Sequence, residues 1–300
     1  MEQQLSELQA LAAHAGNWRT ETGIPRVAMV QGAIPAHQLA AVYEPMLNLI
    51  LRGSKSMTVG GQTLHYDPAT YFVMSVGLPA AGMVHPSARG EAYLAVSLTL
   101  DAGVIASLLA DLPDAVPDAP GRRRDGEHGF SVASVTPALL DAWVRMLRLM
   151  RHASDIAALA PAYEREILYR VLQGPLGWML RDIAVPDTAL ARVNQAIGHI
   201  RRNHALPLRV ADLANGAAMS VSAFHRHFKA VTALSPVQYQ KQIRLLHART
   251  LLTAAGQGVS AAAHAVGYQS PTQFSRDYAR AFGLPPGKDA ARIAAQMRLD

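Results

Sequence analysis

A chain of 300 residues, half of them hydrophobic and none of them cysteine, has room for two domains and excludes a disulfide framework or a thiolate metal site. Its net charge of +6 is unevenly held: residues 190–300 carry 14 Lys/Arg against 4 Asp/Glu, and residues 1–189 carry 14 against 18. A basic last third on an otherwise acidic chain predicts a polyanion partner for one domain only.

The first residues, Met1-Glu2-Gln3-Gln4-Leu5-Ser6, lack the basic and apolar regions of a signal peptide. No run approaches the ~18 apolar residues of a membrane span, so a soluble cytoplasmic protein without a membrane partner is expected. Leu5, Leu8, Leu11, Ala12 and Ala15 recur at helical spacing over residues 1–17, ending at Gly16-Asn17. Between residues 27 and 100 the pattern changes to short apolar runs separated by Gly, Pro, Asn and Asp. Residues 47–51, 56–59, 62–66, 71–76 and 92–100 read as strands, with Gly60-Gly61 as a hairpin turn. Such spacing predicts a small β-barrel or sandwich, a shape that often has a pocket in its mouth.

Residues 104–109 read as a short helix and residues 112–129 as a loop around Arg122, Arg123 and Arg124, where surrounding acids argue against DNA contact. Thr136-Pro137 caps a helix running to about residue 152, whose Leu139, Trp143, Met146 and Met150 form a coiled-coil-like stripe. A further helix is predicted over 162–173, begun by Pro161. The two amphipathic helices offer either ordinary core or a dimer interface through Leu139, Trp143, Met146 and Met150. Residues 183–188, short and proline-containing where the charge balance changes sign, are the predicted linker. The division is 1–184 and 185–300.

The second domain is helical throughout. A long helix over 189–203 precedes a short helix, a turn and a helix capped by Ser220; a long helix over about 237–254 follows. The unit then recurs: an alanine-rich helix ending near Gly267, and a helix capped by Ser270. Phe224 and Phe274, and likewise Arg226 and Arg276, are 50 residues apart. With Phe224 and Phe228 inward, Ser222, His225, Arg226 and Lys229 point outward at 100° per residue. With Phe274 and Tyr278 inward, the outward set is Thr272, Gln273, Arg276 and Arg280, and also Asp277. Arg suits guanine O6/N7, Gln suits adenine, and Ser or Thr suits either. Arg201, Arg202, Arg209, Lys241 and Arg244 suit phosphates, as do Lys229 and Arg280 on the reading helices. His225 and His227 diverge at i, i+2 and do not share a metal.

These residues resemble the AraC/XylS family of transcriptional regulators. The resemblance rests on Leu213-Ala214, Met219-Ser220, Phe224-x-Arg226-x-Phe228-Lys229, Ser235-Pro236, Tyr239, Gly267-Tyr268-x-Ser270, Phe274-Ser275-Arg276 and Phe282-Gly283-x-Pro285-Pro286. In the first domain Val42-Tyr43-Glu44-Pro45, Arg52-Gly53-x-Lys55, Tyr66-Asp67-Pro68 and residues 164–169 resemble one subgroup's regulatory domain. The resemblance implies an α+β chain: an N-terminal cupin-like β-barrel with flanking helices for effector binding or dimerisation, and a C-terminal all-α double helix-turn-helix of seven helices. It implies that Ser222, His225, Arg226, Thr272, Gln273 and Arg276 contact bases. Double-stranded DNA, RNA polymerase, a small-molecule effector and a second copy of the chain are the implied partners, activation the implied effect, and no cofactor is implied. Ala233 stands where the family commonly has glycine, Pro271 where it is often polar, and the end of the domain lacks the usual Tyr-Arg. The competing reading is a metal-dependent cupin-type enzyme joined to a DNA-binding domain, with His37, His65 and His85 as candidate ligands that lack the His-x-His spacing of metal cupins. The effector-binding residues are not specified by the sequence.

Overall fold

The computed structural model describes residues 1–16, 18–32, 40–112, 128–185 and 188–296. The predicted hairpin forms where its chemistry demands: β5 (Ser54–Val59) and β6 (Gln62–Tyr66) meet at Gly60 and Gly61, both with positive φ, the geometry of a two-residue I′ turn. Among the described residues ten strands build two antiparallel sheets. The larger has the order β1-β2-β9-β4-β7-β10, from β1 (Trp18–Glu21), β2 (Val27–Gln31), β9 (Leu94–Thr99), β4 (Met46–Arg52), β7 (Thr70–Met74) and β10 (Phe130–Ser134). The smaller has the order β3-β8-β5-β6, with β3 (Ala40–Tyr43) and β8 (Leu78–His85). The chain crosses between sheets at Gly53, where φ is +79° and a Cβ would lie 2.3 Å from the His85 carbonyl oxygen. Only glycine fits that corner.

Period-2 alternation divides the larger sheet's side chains between two cores. Leu47, Leu49, Leu51, Tyr71 and Val73 face the helices, whereas Ile50, Phe72 and Met74 face the lumen between the sheets. The helical layer comprises α1 (Glu2–Leu11), α2 (Ala102–Ala110), α3 (Pro137–Arg148), α4 (Ala153–Leu172) and α5 (Gly177–Ala184). As expected, the Thr136 hydroxyl caps α3, accepting from the Leu139 amide at 3.2 Å.

The dimer stripe is corrected here. Leu139, Trp143 and Met146 are at most 2% exposed and Met150 is partly buried, all packed into the chain's own first core. Helical periodicity identified a buried face but not its partner, which is the same chain's α1, α4 and sheet. Pro161 does not begin a helix; it lies inside α4. Proline removes one main-chain hydrogen bond there, while burial of Ala160, Ile167, Leu168 and Val171 and an Arg26 Nε bond to buried Glu164 at 2.9 Å anchor the helix. The sequence reading also passed over α5, which follows Gly174-Pro175 and buries Trp178, Met179 and Leu180. The segment between α5 and the next helix is shorter than expected, and Pro186 and Asp187 of the predicted linker lie outside the described residues, as do Arg122, Arg123, Arg124 and His37.

Among the described residues seven helices follow: α6 (Ala189–Arg202), α7 (Val210–Gly216), α8 (Val221–Thr232), α9 (Pro236–Thr253), α10 (Val259–Ala265), α11 (Pro271–Phe282) and α12 (Pro286–Gln296). They do not share one core. Phe224, Phe228, Ile197 and Tyr239 join the lumen core that also holds Phe72 and Leu78. Phe274, Tyr278, Ala262 and Leu252 form a separate cluster. The first helix-turn-helix is therefore welded to the β domain, and the second packs on the far end of α9.

Candidate nucleic-acid interface

Each predicted reading helix is built by the same local chemistry. The Ser220 hydroxyl accepts from the Ala223 amide at 3.3 Å, and the Ser270 hydroxyl from the Gln273 amide at 3.3 Å. These caps satisfy main-chain donors that the first helical turn leaves unpaired. Phe224 and Phe228 on α8, and Phe274 and Tyr278 on α11, are fully buried. Ring contacts fix the seams: Phe228 meets Tyr239 edge-on at 5.6 Å, and Tyr278 meets Phe282 at 4.6 Å. Both helices end on a left-handed residue, Ala233 (φ +60°) and Gly283 (φ +78°), again 50 positions apart. A left-handed alanine costs about 1–2 kcal/mol, so the departure from glycine at Ala233 stores strain at the end of α8.

With the seams buried, Ser222, Arg226, Thr272, Gln273 and Arg276 are exposed and His225 is half-buried. Arg226 and Arg276 form no ion pair with described residues. Asp277 departs from the expected outward set. Three residues beyond Phe274, it sits at the edge of the inward face, 5% exposed, and binds the Lys241 ammonium at 2.5 Å and the Tyr268 hydroxyl at 3.3 Å. Burial pushes its carboxyl up, but hydrogen bonds from Lys241, Gln273 and Tyr268 prevail and hold it below the usual carboxylate range.

The seven candidate phosphate contacts divide. Arg202, Arg209, Lys229 and Arg280 are exposed, with no side-chain partner among the described residues. Arg202 and Arg209 line one groove of about 420 Å³ together with Arg192. The other three, expected on phosphates, already have partners within the chain. Arg201 forms a bidentate pair with Glu44 of the β domain, one bond at 2.9 Å. Lys241 is held by Asp277. Arg244 donates to the carbonyls of His204 (2.6 Å), Ala205 (3.2 Å), Leu206 (2.9 Å) and Gly267 (3.3 Å), tying the loop after α6 to the second unit's turn. A helical wheel marks these side chains as outside their own helix's core; it does not show which neighbouring segment they meet.

Sequence reasoning missed the joint between the β domain and α8. A helix leaves its last four carbonyls unpaired. Here His128 Nδ1 lies 2.8 Å from the Ala230 carbonyl and the Gly129 amide donates to the Val231 carbonyl at 2.8 Å. The hairpin tip presses on the same end, since a Cβ on Gly60 would lie 2.8 Å from that of Ala233. Beside them the Tyr239 hydroxyl donates to the Gly77 carbonyl at 2.8 Å. Contacts separated by more than a hundred residues leave no periodic trace. Removing this last bond in Tyr239→Phe strands a buried carbonyl, and urea unfolding is expected to register a loss of about 1–3 kcal/mol. An unchanged midpoint would show that the joint contributes nothing there.

The second unit is fixed differently. Asp289, fully buried, accepts from Arg249 Nε at 2.9 Å, the Tyr278 hydroxyl at 3.0 Å and Arg292 at 2.6 Å, and so anchors α11 to α9 and α12. Gly267 closes the turn before α11 with φ +85°; a Cβ there would lie 2.0 Å from the Ala205 carbonyl oxygen.

A family model described as the AraC-type transcriptional regulator N-terminus matches residues 23–179, and a helix-turn-helix domain model matches residues 213–292. The chain belongs to the AraC family of transcriptional regulators. Among curated AraC-type proteins it is 34% identical over 111 residues to a putative AraC-like transcription regulator of Streptomyces lividans, covering 37% of this chain and 34% of that protein. It is 27% identical over 164 residues to the transcriptional activator RhaS of Salmonella paratyphi A, covering 52% of this chain and 58% of RhaS. The chain thus spans between a third and three-fifths of these relatives' lengths. Among solved structures an apo ToxT variant of Vibrio cholerae strain SCE256 aligns with a TM-score of 0.56 at 10% identity, covering 92% of this chain and 98% of ToxT. ToxT from that strain with an unsaturated fatty acid bound aligns with a TM-score of 0.54 at 10% identity, over 83% and 87% of the two chains. At that identity the likeness is one of fold: the AraC-type β domain followed by a helical helix-turn-helix domain.

Proposed function

We propose that this protein is a sequence-specific regulator of transcription, an activator, that lays α8 and α11 into adjacent major-groove segments of double-stranded DNA. One observation carries the reading: two separately capped helices, offset by 50 residues, each keep an exposed arginine, Arg226 or Arg276, clear of ion pairs among the described residues. Ser222 and His225 accompany the first arginine, and Thr272 and Gln273 the second, as base-edge readers. Arg202, Arg209, Lys229 and Arg280 hold phosphates. RNA polymerase is the protein partner that activation requires, and the cytoplasm is where such a regulator works.

Selection of binding sites from randomised DNA by the full chain tests the reading. A two-part site with its halves about one helical turn, ~10 base pairs, apart is the expected product; recovery of no enriched sequence would sink it. The phosphate contacts have their own signature. Arg280→Gln should flatten the dependence of log K on log salt by about one unit. Lys241→Gln should leave that slope alone, because its ammonium already serves Asp277; an equal flattening by both variants would restore Lys241 to the phosphate set.

The β domain is proposed as the sensor of a small effector. The shared fold with ToxT, one of whose structures holds an unsaturated fatty acid, supports that role. The joint at His128, Gly129 and Gly60 gives the sensor a route to α8, because a shift of the lumen walls displaces the groups that cap the reading helix. The enzymatic alternative has less behind it. His65 and His85 meet across Ser56 at 2.8 and 3.3 Å on the solvent side of the smaller sheet, and no group of three His, Asp or Glu suited to a metal occurs among the described residues.

A further inference from the structure

DNA reading leaves unused a polar cluster inside the β domain. Lys55 alternates inward with Met57 and Val59 on β5 and is 6% exposed. Its ammonium lies 4.9 Å from the centre of the Tyr43 ring and meets no carboxylate among the described residues. An aromatic face attracts a cation but replaces only part of its lost hydration. Directly across the β5–β6 pair stands Tyr66, 2% exposed, whose buried hydroxyl has no hydrogen-bond partner among the described residues. The Tyr43 and Tyr93 phenols lie close enough to raise the Tyr66 pKa further above what burial does, so the phenol stays neutral and able to donate. Burial pushes the Lys55 ammonium down to about 8, which still leaves it mostly charged at neutral pH.

One cation and one neutral donor, adjacent, buried and lacking an anion among the described residues, form the complement of a carboxylate. The surroundings specify more. Phe72 stacks on Tyr66 at 5.1 Å and 14°, and Met57, Met74 and Leu78 share the same core. Apolar walls favour an organic acid over an inorganic anion. We infer that the lumen binds a small organic carboxylate, its oxygens on Lys55 and Tyr66 and its apolar part against Phe72 and Met74. The inference rests on the proposed sensor role of the β domain. The core that contains Tyr66 and Phe72 continues through Phe228 and Tyr239, so an occupant of the lumen packs against the same cluster that seats α8.

The test is thermal melting and calorimetric titration of the full chain with acetate, octanoate, benzoate and phenylacetate, each beside its primary amide. At least one acid should raise the melting temperature with concentration while its amide does not. Lys55→Met should bind that acid at least about tenfold more weakly and Tyr66→Phe several-fold more weakly, as expected when a charged hydrogen-bond partner is lost. Lys55→Met should also melt above the wild type without ligand, because it removes a buried charge. A lower melting point for Lys55→Met would overturn the inference by showing that the ammonium has a structural partner. An amide that binds as tightly as its acid, with no dependence on Lys55, would overturn the carboxylate assignment while leaving a small-molecule sensor in place. Silence from every acid and amide would overturn both.

Discussion

Arg226→Ala should weaken binding to the selected site by about 1–3 kcal/mol, roughly 5- to 150-fold in Kd, with the loss concentrated at one base pair. Arg276→Ala should do the same at a base pair in the other half of the site. The two arginines stand on helices with separate cores, so their effects should add, and the double variant should lose about 2–6 kcal/mol. Neither change is expected to cost folding stability, since both side chains are exposed and pair with no described carboxylate. Fluorescence anisotropy at fixed salt against single-base variants of the site measures both the loss and its position. If both single variants bind every sequence as the wild type does, α8 and α11 are not the readers. If the loss is equal on all sequences, the arginines hold phosphates instead.

The largest stability effect is expected at Asp289. Its carboxylate is fully buried and receives Arg249, Tyr278 and Arg292. Arg249 is itself only 7% exposed, so Asp289→Ala takes a buried carboxylate partner from a buried guanidinium, a change that typically costs about 3–5 kcal/mol. Because Tyr278 is an inward residue of α11, the cost falls on the second helix-turn-helix and its separate core. Hydrogen exchange should show α10 to α12 opening well below the global unfolding temperature, while α6 to α8, packed into the β domain, remain protected. DNA binding should keep the preference of the first half-site and lose that of the second. Asp289→Asn retains hydrogen-bonding capacity and should fall between the two. A single melting transition at the wild-type temperature in Asp289→Ala would refute the account of how the second unit is held.

Much of this interface is legible in the sequence because it is local. A Ser cap, an aromatic four residues after another aromatic and an arginine between them fix a short helix, its buried side and its free side without help from the rest of the chain. The 50-residue repeat, the Gly60-Gly61 hairpin and the Thr136 cap belong to the same class. The misassignments share one cause. Leu139, Trp143 and Met146 display an apolar stripe whether a second copy or the chain's own sheet covers it. Lys241, Arg244 and Asp277 lie off their helices' main seams, and only the positions of Tyr268 and the loop after α6 make them structural. Lys55 enters the sequence reading only within the Arg52-Gly53-x-Lys55 motif, and its burial follows from the two sheets closing over it.

By itself the sequence determined two capped helices 50 residues apart, most of their outward side chains and a net positive charge held by the last third of the chain. Each of these depends on spacing within a few turns of backbone or on summed composition. Tertiary structure alone decided which basic side chains pair within the chain, which residues cap the end of α8, and that α8 shares a core with the β domain while α11 does not. Those outcomes depend on contacts between residues from about 36 to 162 positions apart, where burial and the pairing of charges are settled by which surfaces meet.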